Sequence, residues 1–264
     1  MANFGAKDVQ ALRQSTGVGM LDAKKALEAN DGDMAASTKW LREKGLASAA
    51  KRTDRDASQG AVAVVLTENA IAAVELRSET DFVAKSQEFI AKVNEMATAV
   101  AKDGEGAMAS FTEDVEKMLI TLKENISVGK VVRFEIGAGQ SADAYLHSQD
   151  GRGVNAVLVV LNGGSTELAH DVAVHAAFTK PQYVSREEVP ESEVAAERET
   201  IENISRNEGK PEASLPKIIE GRLNGWYKER VLLEQSYVRD EKQSVSQMLG
   251  DVTIANFSQI IIGA

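Results

Sequence analysis

Apolar residues in the first 45 positions recur at helical intervals, and glycine interrupts them. Val9 and Leu12 are three apart, and Gly17 follows. Met20, Ala23 and Leu27 share a face, and Asn30-Asp31-Gly32-Asp33 closes that segment. Met34 and Leu41 lie two turns apart with Trp40 alongside, and Gly45 stands as the third stop. Glycine, or an Asn/Gly turn, supplies the left-handed conformation that ends helices. The pattern predicts three short helices forming a minimal bundle, with Trp40 as its core plug. Residues 46–60 carry almost no bulky apolar group and predict an exposed linker, helical at first and then extended.

The period then changes. Ala61 to Leu66 is rich in β-branched residues, Thr67-Glu68-Asn69-Ala70 has turn character, and Ile71 to Leu76 returns, which predicts a strand pair. Phe89, Val93, Met96 and Val100 then step by 4, 3 and 4 in a helix over about 86–101. A softer helix at 113–122 and a strand at 131–136 follow. The same order recurs: a hairpin from 142–147 and 154–161 around Ser148–Gly153, then a helix over 165–180. That helix carries Leu168, Val172 and Ala176 on one face, and Pro181 stops it. Hairpin followed by helix, twice, predicts two related α+β subdomains.

Residues 191–207 are acidic, with apolar Val194, Ile201 and Ile204. Gly209-Lys210-Pro211 breaks that stretch, and Leu215, Ile218, Ile219, Leu223 and Trp226 form a second helical stripe. Together they predict an antiparallel helical hairpin with a narrow apolar seam that projects from the body. The tail 252–262 reads as a final strand.

Composition narrows the possible functions. The 264 residues hold 30 Lys and Arg against 40 Asp and Glu, a net charge of −10. Residues 1–55 carry ten cations against seven anions, so a mildly basic module precedes an acidic body. That balance argues against a generic nucleic-acid binder. With no cysteine, disulfides, zinc–thiolate sites and thiol nucleophiles are excluded. The N-terminus lacks a signal-peptide pattern, and the apolar runs fall far short of the ~20 residues of a membrane helix. A cytoplasmic protein without membrane attachment is the expectation.

Motifs for covalent chemistry are sparse. No phosphate-cradling P-loop is present, and no serine sits in a nucleophile elbow. Gly137-Ala138-Gly139 and Gly151-Arg152-Gly153 read as loop glycines, and Asn162-Gly163-Gly164 as a strand-to-helix turn. His170 and His175 are five apart and on different helix faces, unlike a metal pair. Structural or interface roles are expected for these two and for His147. Thr80-Asp81-Phe82-Val83-Ala84-Lys85 stands out between the first hairpin and its helix. On physics alone, the first-ranked reading has Thr80 capping a helix, Asp81 favouring its dipole and Phe82 packed inward. The alternative is a hydrophobic knob presented to a partner's pocket.

Two segments resemble bacterial translation elongation factor Ts. One is Thr16-Gly17-Val18-Gly19-Met20-Leu21-Asp22-Ala23-Lys24-Lys25-Ala26-Leu27 followed by Asn30-Asp31-Gly32-Asp33, and the other is Thr80–Lys85. His170, His175, Thr179-Lys180-Pro181 and the acidic hairpin with its Gly-Lys-Pro turn extend the likeness along the chain. Ala23 stands where that family often has cysteine. The resemblance implies an α+β fold in three parts. An N-terminal three-helix domain of the ubiquitin-associated type would span 1–50, and a core N-subdomain 51–140. A core C-subdomain would span 141–264, with a protruding antiparallel coiled coil inserted at about 187–226. It further implies a guanine-nucleotide exchange factor for elongation factor Tu, performing no covalent chemistry and having no catalytic residue, metal or cofactor of its own. Thr80, Asp81, Phe82 and Val83 would push into the GTPase and dislodge its Mg²⁺. Arg13, Met20, Leu21 and His147 would be further partner contacts. A stand-alone enzyme and a ubiquitin-associated-type adaptor or coiled-coil scaffold are the competing classes.

Overall fold

The computed structural model describes residues 4–50, 52 and 54–264. Met1 to Asn3 of the expected N-terminus, and Lys51 and Thr53 of the expected linker, lie outside the described residues. The fold is mixed α+β, with three helices at the N-terminus and antiparallel sheets.

The helices are α1 (Ala6–Thr16), α2 (Met20–Ala29) and α3 (Met34–Ala50). Val9, Leu12, Val18, Ala23, Ala26, Leu27 and Leu41 form their shared core. Gly17 ends α1 at φ 72°, donating its N–H to the Arg13 carbonyl. Gly32, at φ 85°, reaches back to the Leu27 carbonyl at 2.9 Å.

Three details depart from the sequence reading. Met20 and Met34 are exposed rather than buried with Leu27 and Leu41. Trp40 is only partly buried, with the Lys44 ammonium 4.3 Å from its ring centroid, so Leu12 and Leu27 fill the centre instead. Gly45 does not stop α3. A Cβ there would sit 2.6 Å from the Ile120 side chain, so this glycine permits close approach to a later helix while α3 continues through it.

Two three-stranded antiparallel sheets form the body. β1 (Gln59–Leu66), β2 (Ala70–Ser78) and β3 (Ser127–Glu135) make one, with β2 central. β4 (Gln140–Gln149), β5 (Arg152–Asn162) and β8 (Thr253–Ile261) make the other, with β5 central. In each, a hairpin supplies two strands and a later strand returns beside the second, so the repeated order seen in sequence is a repeated topology.

The sheets stack face to face. Val62, Ile71, Ala73 and Val132 of the first meet Ala156, Leu158, Val160 and Ile260 of the second. Alternate residues face outward under helices. Ala72, Val74 and Leu76 lie under α5 (Gln87–Asp103), whose Phe89, Val93, Met96 and Val100 are buried as the spacing predicted. A 3₁₀ stretch (Glu105–Phe111) and α6 (Thr112–Leu122) complete that layer. Val157, Val159 and Leu161 lie under α7 (Thr166–Thr179).

α8 (Glu191–Asn207) and α9 (Leu215–Arg230) form the helical hairpin, joined through Gly209-Lys210-Pro211. Its seam is Ile201, Leu215, Ile219, Leu223 and Tyr227, while Ile204 is exposed.

The segment 235–250, unassigned in the sequence, holds a small hairpin of β6 (Ser236–Tyr237) and β7 (Asp240–Ser244) and the short α10 (Val245–Leu249). A fully buried His175 secures it to α7. Its Nε2 faces Gln235 Oε1 at 3.0 Å, and its Nδ1 accepts the Val238 N–H at 3.3 Å. Burial lowers its pKa below the ordinary 6.5, opposed by the hydrogen bond to Gln235. Protonation would bury a cation and set a donor against the Val238 N–H.

The unfolded chain therefore binds this proton more readily than the folded one. The His175 contribution to stability is intact above about pH 6.5 and declines as pH falls toward the lowered folded value. Melting curves between pH 7.5 and 5.5 should show the native protein losing stability on acidification. His175→Asn should be less stable at pH 7.5 and flatter across the same range.

Candidate functional site

The run Thr80–Lys85 occupies the corner where β2 leaves its sheet. Its centre is a one-turn helix, α4 (Asp81–Ala84), too short to hold itself by helix propagation. Local and long-range bonds hold it. Thr80 is its N-cap, with the hydroxyl accepting the Val83 N–H at 3.4 Å. The Glu124 carboxylate, just past α6, accepts the Glu79 N–H at 3.1 Å, the Thr80 N–H at 3.0 Å and the Thr80 hydroxyl at 2.5 Å. Glu79 in turn accepts the Asn125 N–H at 2.6 Å.

Consecutive side chains on this turn diverge. Ala84 is fully buried, and Val83 packs against the core under α5. Phe82 is 84% exposed. The inward-packing reading, ranked first on the sequence, is overturned: the inward positions of the turn are filled by Val83 and Ala84. Asp81 meets the Lys85 ammonium at 2.7 Å, and this bond lowers its pKa from the usual carboxylate value.

Around Phe82 lies an open concavity whose walls include Gln59, Lys85, Gln149, Asp150 and Arg152. Arg152 is buried, and its guanidinium donates to the Gly60 carbonyl and, at 3.1 Å, to Gln59 Oε1. Gly153 is no loop glycine but part of β5, where a Cβ would fall 2.2 Å from the Val62 carbonyl oxygen.

The remaining predicted positions sit in two other places. Arg13 is exposed in the last turn of α1, while Met20 and Leu21 open α2 at 49% and 64% exposure. This corner is tied to the body beside Phe82's support, because Lys123 pairs with Asp22 at 3.3 Å while its neighbour Glu124 pins Thr80. Farther along α3, Arg42 reaches Glu116 at 3.0 Å and Glu113 at 3.4 Å on α6. His147 is exposed on β4, near-parallel to the Tyr145 ring at 6.5 Å. It lines a groove with Tyr145, Asn155, Phe178 and Lys180.

Two residues of these surfaces escaped the sequence reading. Phe178 is 79% exposed on α7. It stands two positions past Ala176, about 200° around the helix from the buried face, so the wheel already marked it as outward. Glu124 carries no local signal, because its partners lie 44 and 45 residues away.

The chain matches the family model described as "Elongation factor TS" over residues 79–264. Curated relatives named "Elongation factor Ts" align along its whole length. The protein from Clavibacter michiganensis subsp. michiganensis is 42% identical, with 100% of both chains covered. That of Saccharopolyspora erythraea is 43% identical, covering 100% of this chain and 99% of the relative. That of Leifsonia xyli subsp. xyli is 41% identical, with 100% of both covered.

The geometry separates support from display. Glu124→Gln should cost about 1 kcal/mol or more in denaturant unfolding, since it weakens three hydrogen bonds to a charged acceptor. Phe82→Ala should change stability by no more than about 0.5 kcal/mol. A loss of about 3 kcal/mol for Phe82→Ala would mean that its ring packs in the core.

Proposed function

The chain belongs to the elongation factor Ts family, and we propose that it is the guanine-nucleotide exchange factor for elongation factor Tu in translation elongation, acting in the cytoplasm. The observation that carries this reading is Phe82, exposed to 84% yet mounted on a turn pinned by Glu124. An aromatic ring held out from a rigid support suits insertion into a hydrophobic pocket.

In this mechanism Thr80, Asp81, Phe82 and Val83 form the segment that enters the GTPase. Phe82 separates helices of the partner, with Val83 and Thr80 anchoring the base of the wedge. The shift disturbs the groups that hold Mg²⁺ against the phosphates of GDP. Loss of a divalent cation beside a diphosphate removes much of the charge neutralisation that retains the nucleotide. This chain binds neither nucleotide nor metal in that scheme and forms no covalent bond.

Arg13, Met20 and Leu21 are proposed as a second contact with the GTPase domain. His147, with the Phe178 groove around it, is proposed as a third contact with another part of the partner. The corresponding modules are a ubiquitin-associated-type domain at 1–50 and core subdomains at 51–140 and 141–264. The helical hairpin of α8 and α9, expected from the sequence at about 187–226, is read as a protruding coiled coil outside the exchange machinery.

If Phe82 is the anchor, Phe82→Ala should cost roughly 2 kcal/mol or more of the exchange-competent complex. That corresponds to GDP release catalysed at least about 25-fold more slowly. Fluorescent GDP release from elongation factor Tu measures this, and a native rate would refute the wedge.

Binding free energies are also reciprocal. A protein that weakens GDP binding by some factor is itself bound more weakly, by the same factor, when GDP is present. Calorimetric titration should therefore find the tightest complex without nucleotide. Affinity should fall when GDP is added, more steeply with Mg²⁺. Equal affinities in all conditions would leave only a plain binding partner.

A further inference from the structure

The turn that carries Phe82 belongs to the first sheet, but an ion bridge fastens it to the second. The Lys85 ammonium lies 2.7 Å from Asp81 Oδ2 and 2.9 Å from Asp150 Oδ2. Asp150 makes a firm anchor. Asp150 and Gly151 form the two-residue connection between β4 and β5, at φ 53° and 80°. Positive φ at both positions is the tight hairpin geometry favoured by Asp-Gly. The next residue, Arg152, is buried and bonded to Gln59 and Gly60 of β1. The far end of the bridge therefore belongs to the stacked sheets.

We propose that Lys85 is a positioning residue for nucleotide exchange: by joining Asp81 to Asp150 it fixes the Phe82 turn against the β4–β5 turn, so that the ring meets the GTPase already oriented. This rests on Phe82 being the wedge. Ion pairs as open as these contribute little to global stability. Their effect falls on the direction in which the turn points, and so on the step in which Phe82 enters the partner. Encounter is left to the other contacts. Loss of the bridge should then lower the maximal exchange rate without changing the concentration that gives half of it.

The test is GDP release from elongation factor Tu across a range of concentrations of the full-length chain. Lys85→Met, which keeps the apolar stem, and Asp150→Asn should each lower the maximal rate about three- to fivefold. Half-saturation should stay within about twofold and melting temperature should not change. The double variant should be no slower than the slower single one, and Lys85→Arg should restore a near-native rate. A native maximal rate for Asp150→Asn, or an effect confined to half-saturation, would overturn the proposal. Phe82→Ala in the same assay separates the two ideas. If it is slow while Asp150→Asn is native, only the bridge is refuted. If it is native, the wedge falls and the bridge with it.

Discussion

Two strands buried on both faces govern this molecule. β2 and β5 each lie at the centre of a sheet, with a helix layer on one side and the opposing sheet on the other. Such strands must be apolar at nearly every position, and here many of their residues are small. Ala70, Ala72 and Ala73 fill β2, while Gly153 and Ala156 let β5 approach β1. A packed interior tolerates little change in that spacing. The relative position of the two sheets, and of the turns at their ends, is therefore a property of the core. The Phe82 turn leaves the end of β2, and the Asp150 turn opens β5, so core packing decides what meets at that corner.

An exposed phenylalanine forgoes roughly 2 kcal/mol of burial. On a mobile loop it would fold onto the nearest apolar surface. Here its neighbours occupy that surface, with Val83 and Ala84 against the core and Thr80 bonded to Glu124. The same end of α6 reaches the N-terminal helices through Lys123 and Asp22, and Gly45 brings α3 onto Ile120. The helical module and the Phe82 turn thus share one support. Contacts made by either side of it would be held at a set spacing.

The parts legible in the sequence were those governed by local rules. The steps from Phe89 to Val100, the Gly17 cap and the Pro181 stop followed from periodicity and backbone chemistry, and the structure bears them out. The repeated hairpin-and-helix order was also visible. Illegible were features set by distant neighbours. Gly45 looked like a stop because the sequence does not show Ile120 arriving 75 positions later. Gly153 looked like a loop glycine for the same reason. The 235–250 segment is polar and short in its elements, and its anchor, His175, lies 60 residues before Gln235. For Phe82, physics ranked burial first, because an aromatic beside a core is ordinarily buried. What decided otherwise was the three-dimensional arrangement of Val83, Ala84 and Glu124.

An exchange factor has only binding energy with which to act. It shifts its partner by as much as its affinity differs between the two conformations of that partner, and by no more. A flexible aromatic adapts to a closed pocket or an open one and distinguishes them poorly. A ring held at a set height and angle fits the open pocket and clashes with the closed one, so stiffness becomes discrimination. In this chain the supports are a carboxylate on three donors, a lysine between two aspartates, and a glycine with no room for a methyl group. On the proposed wedge reading, the scarcity of catalytic motifs in the sequence and the density of supports behind Phe82 would have one physical explanation. The proposed wedge asks for a geometry held against load, and the stacked central strands are what would supply it.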